Sequence, residues 1–177
     1  MDKRWVYKPK HQELKARELA EAINVDPLIA RLLLSRGITT YEEAKTFFRP
    51  DLNLLHDPFL MKDMENAVAI IEQYIRRQER ILIYGDYDVD GTTAVALTYR
   101  FFKHIYDQVG YYIPDRHSEG YGLSIQAIDW AVENDYKLII TLDCGITANE
   151  QVDYANEKGL DVIITDHHLP AELPNAA

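Results

Sequence analysis

Three short stretches hold the side chains whose chemistry could act together. Ile81-Leu-Ile-Tyr84-Gly-Asp86 runs on into Tyr-Asp88-Val-Asp90-Gly91. Leu138-Ile-Ile-Thr-Leu-Asp143 is followed by Cys144-Gly145, and Val162-Ile-Ile-Thr-Asp166 by His167-His168. Each is an apolar run that ends in an acid. Carboxylates packed together repel one another, and their pKa values rise unless a cation compensates. Oxygen ligands with one or two imidazoles suit Mn²⁺ or Mg²⁺ better than structural zinc, which prefers Cys and His. A cluster of this size could bridge two ions about 3.5–4 Å apart, the arrangement used for in-line displacement at phosphorus. Asp86, Asp88 and Asp90 are spaced by two, so an extended backbone is expected to turn all three to one side. Gly91 is expected to let a phosphate approach the N-terminus of the following helix.

A single Asp at a strand end is commonly a cap or turn residue, and adjacent histidines are usually surface or core residues. The coincidence of three strand ends is what favours a metal site. His11, His56 and His104 have no such company and read as structural, and Cys144 reads as a small buried residue.

The elements needed to bring these stretches together are legible. Residues 81–84, 109–113, 138–142 and 162–165 are short apolar runs, as expected of strands buried on both faces. Helical patterns lie between them over 91–107, 124–134 and 147–158, and another precedes them over 63–79. Residues 114–123 read as a loop. This alternation predicts an α/β fold, a doubly wound, mainly parallel sheet, and such sheets bind ligands beyond the carboxyl ends of their strands. Ahead of it lies a small helical region, residues 1–55. Asp26-Pro27 reads as an N-cap with proline at the first helical position, and Thr40 with Glu43 as a capping box. The catalytic domain is expected over 56–177.

Of the 177 residues, 47% are apolar and 27% charged, enough to bury a core. No run approaches the roughly 18 apolar residues of a membrane helix, and no secretory signal is read at the start, so no membrane partner is expected. The single cysteine excludes an internal disulfide and points to a reducing, cytoplasmic setting. Net charge is −10. Residues 1–50 carry ten Lys/Arg against seven Asp/Glu, a balance of +3, and residues 51–177 carry nine against twenty-two, a balance of −13. An acidic body argues against binding a polyanion unless bound metal offsets it, because phosphate neutralisation by Lys and Arg dominates nucleic-acid affinity.

The three stretches resemble motifs one to three of the DHH phosphoesterase superfamily. The triple Asp of the first, together with Pro114-Asp-Arg116-His-Ser-Glu119-Gly-Tyr-Gly-Leu123, resembles its single-strand-specific DNA exonucleases. Leu32-Leu-Leu-Ser-Arg-Gly-Ile38 and His56-Asp-Pro-Phe59 are similar to the region that precedes the motifs in those enzymes, so the resemblance spans nearly the whole chain. It implies a 5′→3′ exonuclease of repair and recombination that uses Mn²⁺ or Mg²⁺ in a two-metal site and acts on single-stranded DNA. Carried over by position, Asp88, Asp90, Asp143 and His167 would hold the ions, with Asp143 bridging. His168 would assist at the phosphate, and Asp86 and Asp166 would orient their neighbours. Arg116, in acidic surroundings, is a candidate phosphate contact; an ion pair at the surface is the alternative.

The family also implies a fourth acidic motif and a further domain that grips nucleic acid. The chain is therefore expected to be an amino-terminal fragment that binds metal weakly and degrades DNA poorly by itself. Within the superfamily, a pyrophosphatase or a phosphodiesterase of short oligonucleotides or cyclic dinucleotides is the alternative. A non-catalytic replication or repair scaffold is the alternative of another class. Asp88-Val-Asp90-Gly-Thr92 also fits the haloacid-dehalogenase phosphatase signature, but that family needs a later acidic pair and has no use for Asp166-His167-His168.

Overall fold

The computed structural model describes Arg4, residues 13–170, and residues 173, 174 and 176; His11 lies outside the described residues. The chain divides into two compact units, Met1–Asp57 and Pro58–Ala177. The division falls two residues beyond the expected boundary at 55/56.

The first unit contains α1 (Glu13–Ile23), α2 (Pro27–Leu34) and α3 (Tyr41–Phe48). Asp26 caps α2 by accepting from the Leu28 amide, with Pro27 in the first helical position. Thr40 and Glu43 form a reciprocal capping box at α3. Short helices are marginal alone, and packing holds these three. Leu19, Leu33 and Leu34 close a small core around the wholly buried Ala30 and Ala44.

The second unit holds α4 (Met64–Arg76), β1 (Arg80–Gly85), α5 (Val89–Ile105), β2 (Val109–Tyr112), α6 (Ile125–Glu133), β3 (Tyr136–Leu142), α7 (Asn149–Glu157) and β4 (Asp161–Thr165). All neighbouring strands pair parallel, in the order β2-β1-β3-β4. Strand residues point alternately to opposite faces. Ile81, Ile83, Leu138 and Ile140 pack with Tyr74, Val95 and Phe102 from α4 and α5, whereas Leu82, Tyr84 and Ile139 pack with Ile128 and Val152 from α6 and α7. Both faces are therefore covered, which is why these strands read as unbroken apolar runs. Burying one such side chain contributes about 2 kcal/mol.

From β1 the chain winds outward to β2, crosses back to β3 and continues to β4. The reversal of direction lies between β1 and β3, the point in such sheets where ligands bind beyond the carboxyl ends of the strands. Asp86 follows β1, Asp143 follows β3 and Asp166 follows β4. The topology thus brings all three acids to one edge.

Candidate metal centre

Hydrogen bonds between the ends of β3 and β4 set the geometry. The Asp143 amide donates to the Thr165 carbonyl at 2.9 Å, and the Thr165 hydroxyl to the Thr141 carbonyl at 2.8 Å. Asp143 itself adopts φ 60°, a left-handed conformation uncommon for a residue with a side chain, and Gly145 follows at φ 108°. The Thr141 hydroxyl pins this turn by donating to the Cys144 carbonyl at 2.8 Å. Such conformations cost on the order of 1 kcal/mol and cluster where a side chain must be aimed.

The aim is at His167: its Nε2 lies 3.0 Å from Asp143 Oδ1. Asp143, His167 and His168 each offer a ligand atom, and those atoms all lie within 4.8 Å of one another. The third stretch is ordered by Asp166, whose Oδ1 accepts from the amides of His167 (2.7 Å) and His168 (3.1 Å) while Oδ2 accepts from the Ile146 amide (3.1 Å). The same Oδ1 lies 2.7 Å from His168 Nδ1. Burial pushes the Asp166 carboxyl up, but these donors outweigh it and hold the group below the usual carboxylate range. The bond to Asp166 raises the His168 imidazole. With Nδ1 engaged, Nε2 of His168 is left for a ligand or substrate, the way carboxylates orient metal-binding histidines.

Asp86 is wholly buried, and neither carboxylate oxygen has a close, well-aligned hydrogen-bond partner among the described residues. Desolvation raises its pKa; the backbone at Tyr87 and Gly122 only partly offsets that, and the charges of Asp88 and Asp143 add to it. Buried charges are normally paired or bound to metal. Two orphaned carboxylate oxygens beside the Asp143–His167–His168 group are what a divalent cation would satisfy, and the oxygen-rich donor set fits Mn²⁺ or Mg²⁺.

The first stretch differs from the extended expectation. Asp88 is the N-cap of α5, its Oδ1 accepting from the Gly91 amide at 3.0 Å, and Asp90 lies in the first turn of that helix. Once the backbone turns helical, period-two spacing no longer shares a face. Asp88 still acts on the site, since its charge contributes to raising both Asp86 and His168. Asp90 belongs to no close ligand group among the described residues.

Gly91 is buried, and an added Cβ would meet the Asp86 backbone nitrogen and oxygen at 2.6 and 2.5 Å. The missing side chain makes room for the Asp86 backbone. Arg116 makes no ion pair among the described residues; its guanidinium stands 5.4 Å from the Tyr87 ring centroid. Tyr121, which sequence reasoning passed over, meets the rings of Tyr87 at 6.2 Å and His168 at 6.3 Å, both edge to face. A Tyr between two glycines in a loop was the available signal. Cys144 is buried, which pushes its thiol up to about 12 and leaves it inert. His56 and His104 are exposed and stand outside the cluster.

A parallel α/β sheet whose switch-point edge gathers carboxylates and paired histidines defines a metallophosphoesterase type of site. The model described as "DHH family, N-terminal domain" matches residues 80–177, and the chain belongs to that family. It is 44% identical over 173 residues to the Bacillus subtilis protein named single-stranded-DNA-specific exonuclease RecJ, covering 97% of this chain and 22% of that one. Among solved structures it resembles RecJ of Thermus thermophilus in complex with Mn²⁺, with TM-score 0.67 and 31% identity over 92% of this chain and 22% of that one. The same organism's RecJ in complex with Mg²⁺ gives TM-score 0.52 and 28% identity over 88% of this chain and 18% of that one. The chain spans between 22% and 29% of the length of the RecJ relatives it matches.

Proposed function

We propose that this chain supplies the first three ligand motifs of a divalent-metal-dependent exonuclease that removes nucleotides 5′→3′ from single-stranded DNA in repair and recombination. The observation that carries the reading is the buried, unpartnered Asp86 carboxylate beside the Asp143–His167 pair. The names of the relatives, single-strand-specific exonucleases and RecJ complexes with Mn²⁺ or Mg²⁺, supply the substrate class and the ions.

In this reading Asp88, Asp90, Asp143 and His167 hold the cations, and Asp86 brings further negative charge to the same edge. When bound, the ions would activate water and neutralise charge on the phosphoryl oxygens. His168, oriented by Asp166, offers Nε2 to the phosphate as a hydrogen-bond donor. Arg116 contributes a positive charge to a phosphate oxygen. The −13 balance of residues 51–177 supports placing most of the grip on DNA in the further length that the relatives possess, and this chain alone would bind metal weakly and cut poorly. The single cysteine supports a reducing cytoplasmic setting, and no described helix is long and apolar enough to cross a membrane.

The test is nucleotide release from end-labelled single-stranded DNA by this sequence extended to the relatives' length. Mn²⁺-dependent release that His167→Ala abolishes is expected. Release that survives chelation, or that proceeds equally in His167→Ala, would overturn the reading.

A further inference from the structure

The loop between β2 and α6 is held in a way that the metal chemistry does not require. The Glu119 carboxylate bridges three parts of the fold. It accepts from the Tyr112 hydroxyl of β2 at 3.1 Å to each oxygen, from the Asp115 amide at 2.8 Å, and from the Ser124 hydroxyl at 2.6 Å. Ser124 is the N-cap of α6 and accepts from the Ala127 amide, so the carboxylate is tied directly to the helix start. A second tie follows three residues on, where the Tyr84 hydroxyl of β1 donates to the Gly122 carbonyl at 2.6 Å. Gly120 and Gly122 both adopt φ +84°. Left-handed turns on either side of Tyr121 let the chain reverse there. Arg116 and Tyr121 are the residues of this loop that reach the Tyr87 ring, and Tyr121 also meets His168.

We propose that Glu119 is a positioning residue. It locks this loop as an arm that holds Tyr121 against His168 and Arg116 against Tyr87, and so controls affinity for the phosphate end of a nucleotide while leaving the cations alone. The ligand part rests on Arg116 being a phosphate contact. Donors from three separate places converging on one carboxylate exceed what a surface turn needs, and a charged acceptor strengthens each bond. Gln at this position keeps the shape but removes the negative charge that strengthens each of these bonds. A charge-assisted bond is worth roughly one factor of ten in an equilibrium constant.

The experiment compares Glu119→Gln with the unaltered chain in three readouts. These are amide exchange over 115–122, Mn²⁺ affinity by titration, and affinity for thymidine 5′-monophosphate with Mn²⁺ present. Exchange about tenfold faster in 115–122, unchanged in β1 and β3, is expected, with nucleotide affinity about tenfold weaker and Mn²⁺ affinity within about twofold. Tyr112→Phe removes one donor and should give a smaller change in the same segment. Unchanged exchange in Glu119→Gln would overturn the proposal, as would faster exchange with unaltered nucleotide affinity, or parallel loss of Mn²⁺ affinity. If the unaltered chain bound no Mn²⁺, the metal reading would fail, and the exchange comparison by itself would decide the clamp.

Discussion

His167 Nε2 and Asp143 Oδ1 meet at 3.0 Å although their side chains come from different strand ends and differ sharply in exposure, 75% for His167 and 12% for Asp143. The pairing depends on backbone more than on side-chain freedom. The left-handed Asp143 and the hydrogen bond from its amide to Thr165 fix one partner, and the Asp166 carboxylate fixes the turn that carries the other. Asp86, wholly buried at the end of β1, brings negative charge to the same edge.

Gly91→Ala should be costly. The Cβ would stand within 3.0 Å of the Asp86 backbone, which cannot yield as a flexible side chain can. A stability loss of about 2–3 kcal/mol in urea unfolding is expected, together with weaker Mn²⁺ binding. A neutral outcome in both would refute the close strand–helix contact.

Asp86→Asn should act in opposite directions with and without metal. In chelator, removing an unpartnered buried charge is expected to raise stability by about 1–3 kcal/mol, seen as a higher melting temperature. In excess Mn²⁺ the substituted chain should gain less than the unaltered one, because stabilisation by a ligand follows its affinity. A lower melting temperature in chelator would contradict the assignment.

Tyr74→Phe is expected to separate stability from metal binding. The Tyr74 hydroxyl donates to Asp161 Oδ2 at 2.6 Å, at the start of β4 and thus the far end of the strand from the cluster. Loss of about 1–2 kcal/mol in urea unfolding, with Mn²⁺ affinity unchanged, is the predicted result.

Asp115 gives the loop a pH signature. Hydrogen bonds from the Ser118 amide and hydroxyl and from the His117 amide hold its carboxyl below the ordinary value of 3.8. A depressed carboxylate stabilises the turn above its unfolded pKa, and that contribution disappears as pH falls through the folded value. The amide proton shifts of His117 and Ser118 should therefore titrate with a midpoint below 3.8, and a midpoint at or above it would contradict these bonds.

Much of this was legible from residue order. Unbroken apolar runs signalled strands covered on both faces, Asp26-Pro27 and Thr40 with Glu43 signalled helix starts, and acids directly after three strands signalled a common edge. The first acidic stretch was only half legible. Asp88 begins a helix, so the spacing that aligns alternate residues in a strand ceases at that residue, and Asp90 falls in the first helical turn. The close approach that Gly91 permits to the Asp86 backbone was not legible either, a packing fact that no local pattern encodes. Glu119 depends on Tyr112 and Ser124 arriving from separate elements, which only the folded loop reveals.

Manganese titration of the unaltered chain beside Asp143→Asn, followed by electron paramagnetic resonance of the free ion, tests the centre most directly. Asn tolerates the left-handed backbone at position 143 while removing the charge and one ligand oxygen. Saturable binding by the unaltered chain, weakened at least about tenfold in Asp143→Asn with the fold intact, is the predicted result. Equal binding by the two proteins would contradict it.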